Sequence, residues 1–175
     1  MLSILQLIVD TIASVLGGVL LLRFWMQAIR VRPPASVAQF TFTLSDWLVK
    51  PLRRIVPGAG GYDWASLIGA FLVVLLATSI LFIVGASAEQ VLLLALGRFV
   101  KWIIYGFIAL LIIEAIFSWV NPHAPLAPFV HALNDPLLRP IRKVVPPLGG
   151  LDLSVLVAVL LLQIALYLLR TVVPI

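Results

Sequence analysis

Four apolar runs, each long enough to cross a bilayer and separated by short basic or proline-rich segments, constrain this chain more than any other feature. At about 1.5 Å of rise per residue, a helix of roughly 20 residues crosses a ~30 Å hydrocarbon core. The first run covers residues 4–29 and is interrupted by Asp10, Gly17, Gly18 and Arg23. The second, 64–84, carries LIGAFLVVLLATSILFIV without one charge. The third, 100–120, contains Glu114 and ends at Asn121-Pro122, and the fourth, 153–173, has Gln163 and Tyr167 as its polar breaks. In this reading Val91–Leu96 is an extra turn or two at the interface, because adding it makes a span much longer than the bilayer needs. A cleaved signal peptide fits the first run poorly: no Lys or Arg precedes it, and it continues too far before a break. In lipid every backbone N–H and C=O must be paired within the protein, which a helix does by itself, and these runs lack the alternation of a barrel strand. The expected fold is an all-α integral membrane protein with four transmembrane helices.

Composition agrees and excludes much chemistry. The 175 residues are 63% hydrophobic and 11% charged, with a mean hydropathy of +1.19. With no cysteine, disulfides, thiolate metal sites, cysteine nucleophiles and CxxC haem attachment are ruled out. His123 and His131 stand eight residues apart with no carboxylate at ligand spacing, so no metal, haem or other cofactor is expected. Ser, Asp and His are too scattered for a hydrolytic triad and no nucleotide loop is present, so no catalytic residue is assigned and an enzyme is not expected. A net charge of +5 in a soluble chain would suggest nucleic acid. Here the basic residues flank apolar runs, so anionic lipid headgroups are the nearer partner and nucleic acid is not expected.

The sequence is also doubled. DWLVKPLRRIVPGAGGYD from Asp46 and DPLLRPIRKVVPPLGGLD from Asp135 align at a constant offset of 89 residues. Asp46, Pro51, Arg53, Pro57, Gly60, Gly61 and Asp63 match Asp135, Pro140, Arg142, Pro146, Gly149, Gly150 and Asp152. Lys50/Arg139 and Arg54/Lys143 keep their charge, and Val37, Phe40, Leu44 and Leu48 map upstream onto Leu126, Phe129, Leu133 and Leu137. Two tandem repeats are expected, 1–88 and 89–175, each made of span, amphipathic helix, proline-bounded basic turn and span. Two spans per copy make the repeats parallel, so both basic loops share one face. That face holds eight Lys and Arg near span ends against three on the other, which puts the loops in the cytoplasm and both termini outside.

Lys50, Arg53 and Arg54, and likewise Arg139, Arg142 and Lys143, fall three and four residues apart on one helix face. Pro51 suits the first turn of a short helix that Pro57 ends, and Phe40, Leu44, Trp47 and Leu48 point to the acyl boundary. Three readings stay open: charges that only set topology, a surface for anionic headgroups and a partner membrane protein, or the rim of an ion or solute path. Self-association is left open too. Asp63 and Asp152 directly precede spans and are expected as N-caps, with the paired glycines permitting the reversal into the membrane. Arg23 and Glu114 are the deepest ionisable residues toward the basic face. They are expected either to pair across the repeat interface or to snorkel separately; with Gln163 they would line any path. Asp10 reads as an ordinary interfacial residue. Small residues four apart, Ala13–Gly17, Ser14–Gly18, Ala65–Gly69 and Ser154–Ala158, are candidates for close helix approach.

The duplicated D-x-L-x-[KR]-P-x-R-[RK]-x-V-P-x-x-G-G-x-D, with FSWVNP over Phe117–Pro122, resembles the YggT family, also called YlmG in some lineages. The resemblance covers nearly the whole chain, in the family's two-repeat form. It implies a multi-pass protein of the bacterial inner membrane, linked to membrane-protein or cytochrome complex assembly, cell division, or nucleoid and envelope organisation. Any link to cytochrome assembly would run through protein contacts. The expected function is a non-enzymatic assembly or organising factor. Osmotic tolerance and cation uptake, also suggested for the family, keep an ion or solute transporter as the alternative. The family often carries Arg where this chain has Glu114, so no role of that arginine is carried over; Arg23 keeps it in the first copy.

Overall fold

The chain is described here from a computed structural model covering residues 2–145 and 152–173; Pro146, Gly149 and Gly150 lie outside the described residues. The elements in order are α1 (Leu2–Ala28), α2 (Ala35–Ile55), α3 (Trp64–Thr78) continuing as a 3-10 stretch (Ser79–Val84), α4 (Ala88–Val120), α5 (Ala127–Arg142) and α6 (Leu153–Val172). α1, α3 with its 3-10 extension, α4 and α6 are long and apolar enough to cross a membrane. The protein is an all-helical membrane protein, with no strand named among the described residues.

Two expected boundaries move. Residues 91–96 are not a separate interfacial turn: α4 runs unbroken for 33 residues from Ala88. Its start is set by a reciprocal cap, in which the Ser87 hydroxyl accepts from the Gln90 N–H and the Gln90 side chain accepts from the Ser87 N–H. Val91 and Ala95 are buried, so protein covers one face of these extra turns, while Leu92, Leu93 and Leu96 stay about half exposed on the other. Pro51 and Pro140 do not open short helices either. Pro51 lies inside α2, and Pro136 and Pro140 inside α5. All three are exposed, where a carbonyl freed by the missing N–H can be solvated.

α1 packs against α3 through Ala13, Leu20, Ala65, Ala70, Val73 and Ala77, joined by Val49 of α2. α4 packs against α6 through Ile104, Ile108 and Leu166, and through Leu111 and Ala158 with Leu138 of α5. α1 and α4 run parallel: Asp10 pairs with Arg98, Gly17 abuts Trp102, and Trp25 meets Phe107 edge-on at 5.0 Å. α2 and α5 therefore sit at the same end, and the Trp25 indole N–H donates to the Leu133 carbonyl of α5 at 2.9 Å. Asp10 is more than an interfacial residue, since its Arg98 partner also reaches Thr78 of α3 at 3.3 Å. Three helices are tied together there by one guanidinium.

Of the four small-residue pairs, Ala13–Gly17, Ala65–Gly69 and Ser154–Ala158 are buried, while Ser14 and Gly18 are exposed. A Cβ on Gly17 would lie 2.2 Å from the Trp102 ring, whereas one on Gly18 would meet nothing within 4 Å. Gly17→Val should therefore cost about 1–3 kcal/mol by overpacking, and Gly18→Val close to nothing. Thermal unfolding in nanodiscs measures this; equal losses would show that α1 and α4 do not meet at Gly17.

Candidate functional site

In the first half of the chain an ion-pair cluster joins three helices. Arg23 of α1 is only 6% exposed. Its Nη1 donates to Ser45 Oγ at 2.6 Å and to Asp46 Oδ1 at 2.7 Å on α2. Its Nε stands 3.5 Å from Asp63 Oδ2, and its guanidinium lies 4.8 Å from the centre of the Phe42 ring. An unpaired charge at this depth is strongly unfavourable, so the two aspartates and the ring face account for its burial. Asp46 also takes Lys50 Nζ at 2.9 Å, one helical turn away. Asp63 accepts from the Ser66 N–H and hydroxyl, which makes it the N-cap of α3. The same carboxylate accepts from Arg53 Nη2 at 2.6 Å and Nε at 3.2 Å. Gly60 and Gly61, at φ +68 and +82, make the reversal that aims Asp63 back at α2.

The second half repeats the arrangement with a different centre. Asp152 caps α6 through the Ser154 N–H at 3.0 Å and the Ser154 hydroxyl. It also takes Arg142 Nη2 at 2.8 Å and Nε at 2.9 Å. The intramembrane charge is now Glu114, 9% exposed, whose Oε1 accepts from Arg142 Nη2 at 3.2 Å and lies 2.9 Å from His131 Nδ1. His131 is the offset-89 counterpart of Phe42. A ring face thus stands beside the buried guanidinium, and a ring nitrogen beside the buried carboxyl group.

The expected Arg23–Glu114 pair does not form, and neither residue snorkels outward; each is closed within its own half. The reason is that α2 and α5 pack down against the spans, which carries Asp46, His131 and Arg142 to the charges. Gln163 is exposed on α6 and joins neither cluster. Of the six basic residues expected at headgroups, Arg53 and Arg142 turn inward to the capping aspartates, and Lys50 pairs with Asp46 while staying exposed. Arg54, Arg139 and Lys143 are exposed and have no ion pair among the described residues. The ten-residue spacing of Arg53–Asp63 and Arg142–Asp152, present in both copies, is the sequence signal for these ties. Leu48 also turns inward and packs near Gly69, whereas Phe40, Leu44 and Trp47 are exposed as expected.

At the rim of the first cluster lies a cavity of about 630 Å³ lined by Arg23, Arg30, Arg32, Lys50 and Arg53, with Asp46 as its one carboxylate among the described residues. Arg30 has φ 57, a left-handed position that favours glycine, at the end of α1. There Arg30 N–H bonds Gln27 O, and Val31 N–H bonds Met26 O. A smaller cavity of about 320 Å³ between the halves is lined by apolar side chains such as Leu21, Trp25, Trp102 and Phe107. Among the described residues no group of three or more His, Asp or Glu is placed to hold a metal ion.

Hydrogen bonds from Arg23 and then Lys50 hold Asp46 below the ordinary carboxylate range. Burial is the largest influence on Asp63 and pushes it up. The bonds from Arg53 and Ser66 and the nearby charges of Arg53 and Arg23 outweigh it, leaving Asp63 low. Asp152 is likewise raised by burial and lowered further by Ser154 and Arg142. Arg53 is raised, chiefly by its bond to Asp63.

The family described as CCB3/YggT matches residues 1–84 and 93–173. A relative named uncharacterized protein YggT, from Escherichia coli strain K12, is 33% identical over 168 residues, covering 91% of this chain and 86% of its own. An uncharacterized protein of Pseudomonas aeruginosa is 37% identical over 164 residues, covering 90% and 83%. One from Vibrio alginolyticus, named for its place in the proC 3' region, is 31% identical over 182 residues, covering 97% and 95%. No solved structure matches the chain.

Carboxylates lowered in the folded state stabilise it above their unfolded value of about 3.9, and that stability is lost as pH falls through the folded value. The thermal midpoint should therefore drop as pH falls below about 4 and on through the lowered folded values, and Asp63→Asn should flatten part of that drop. At neutral pH Asp63→Asn should cost about 3 kcal/mol, and the more exposed Asp152→Asn about 1 kcal/mol. An unaltered acid slope in Asp63→Asn would remove the linkage.

Proposed function

The chain belongs to the CCB3/YggT family, and from that premise we propose a non-enzymatic organising or assembly factor of a bacterial inner membrane. It anchors on anionic headgroups and presents the α2–α5 face to another membrane protein. One observation carries this reading: the ends of α2 and α5 each expose a cation next to an aliphatic residue, Arg54-Ile55 and Lys143-Val144. A cation beside exposed apolar surface belongs at the boundary between headgroups and acyl chains. Arg30, held in a backbone conformation costly for a non-glycine residue, and Arg32 extend the same rim.

In this proposal the face is cytoplasmic, with both termini outside and the halves 1–88 and 89–175 as tandem copies, a reading supported by the excess of Lys and Arg near span ends on that face and by the doubled sequence. The non-enzymatic reading is supported by the mutual engagement of Arg23, Asp46, Arg53 and Asp63. The apolar cavity between the halves lends no support to an ion or solute path there.

Because Arg54, Arg139 and Lys143 are outside the ion-pair clusters, changing all three to Gln should leave the thermal midpoint in place. Each basic residue near an anionic surface contributes about 1 kcal/mol, so adducts from a photocrosslinker at Trp47 in native membranes should fall at least tenfold. Undiminished adducts from the triple variant would overturn the reading.

A further inference from the structure

The two halves differ most where their charges are centred. In the first, the Arg23 guanidinium lies between Asp46 of α2 and Asp63 at the start of α3. The counterpart of Arg23 at offset 89 is Ile112. The second half keeps both aspartates as Asp135 and Asp152, lacks that intramembrane cation, and adds a third carboxylate in Glu114. All three carboxylates lean on one guanidinium, with Arg142 at 2.8 Å from Asp152, 3.2 Å from Glu114 and 3.9 Å from Asp135. Glu114 is nine-tenths buried, and its Oε2 has no hydrogen-bond partner.

This site opens into a cavity of about 680 Å³ at the junction of α4, α5 and α6. Glu114, His131, Arg142 and Asp152 form its polar part, and Ile112, Trp119 and Leu156 are among its apolar walls. Those three wall residues are exposed on spans that face hydrocarbon. A ligand reaching the carboxylates from this side therefore carries acyl chains. It also carries a positive charge, to supply what Ile112 does not. An orphan carboxylate oxygen needs an N–H donor, which a quaternary ammonium lacks and a primary ammonium has.

We propose that this cavity binds an aminophospholipid, with the primary ammonium at Glu114 Oε2 and Asp152 and the acyl chains along Ile112 and Leu156. His131 and Arg142 lie in the same cavity for the adjoining phosphate. This site is separate from the basic rim of the first half and engages its headgroup through the ammonium rather than through the phosphate alone.

The test reconstitutes the full chain in phosphatidylcholine vesicles containing a minor fraction of brominated phosphatidylethanolamine, phosphatidylcholine or phosphatidylglycerol, and reads quenching of Trp119. The Trp119→Phe protein defines the signal from the other four tryptophans. The ethanolamine lipid should quench at about tenfold lower mole fraction than the other two, the scale of one charge-assisted hydrogen bond. Glu114→Gln, which keeps the shape of the side chain, should abolish the preference. Ile112→Lys, which gives the cavity its own ammonium, should abolish it as well. Equal quenching by all three headgroups would overturn the proposal, as would a preference that survives Glu114→Gln. The first result would leave a partner protein's cationic side chain as the group that meets Glu114.

Discussion

A charged side chain inside hydrocarbon must be met by polar groups of its own protein, and in this molecule that requirement organises each half. Arg23 lies too deep in α1 for bulk water to serve it, so α2 is drawn against the spans until Ser45 and Asp46 reach it. Asp63 approaches from the start of α3, which fixes where the chain turns back into the membrane. One carboxylate then does three things: it terminates a helix dipole, binds Arg53 from α2 and faces Arg23. The basic turn is therefore a structural clamp before it is a surface.

The doubled frame carries opposite polarity in its two halves. The Arg–Asp clamp is common to both, Arg53 on Asp63 and Arg142 on Asp152. What changes is the group at its centre, a cation over an aromatic face in one half and an anion beside an imidazole in the other. Gly17 of α1 makes room for Trp102 of α4 where the halves meet, and the Trp25 indole bridges them at the basic end. The exposed cations at the helix ends, Arg54 and Lys143, lie outside both clusters.

Much of this was legible in the sequence where the physics is local. The spans follow from uninterrupted hydropathy, the caps from Asp63 and Asp152 standing directly before apolar runs, and the reversal from Gly60-Gly61, whose positive φ values bear it out. Close approach at Gly17 and Gly69 also follows from spacing, but the same spacing at Ser14–Gly18 leads nowhere because that stripe faces outward. What was not legible depends on how far α2 and α5 descend. Read as helices floating in the headgroup layer, they leave Arg23 and Glu114 either to pair with each other or to snorkel separately. Packed inward, they supply Asp46, His131 and Arg142. Pro51 and Pro140 misled for a related reason, since a proline on an exposed helix face interrupts little.

The central claim is that each half closes its own buried charge. Two double-mutant cycles in nanodiscs address it, one combining Arg23→Met with Asp46→Asn and the other Arg23→Met with Glu114→Gln. The account predicts a coupling of about 1–3 kcal/mol in the first cycle and additivity within about 0.5 kcal/mol in the second. Additivity at Arg23–Asp46 together with coupling at Arg23–Glu114 would contradict it.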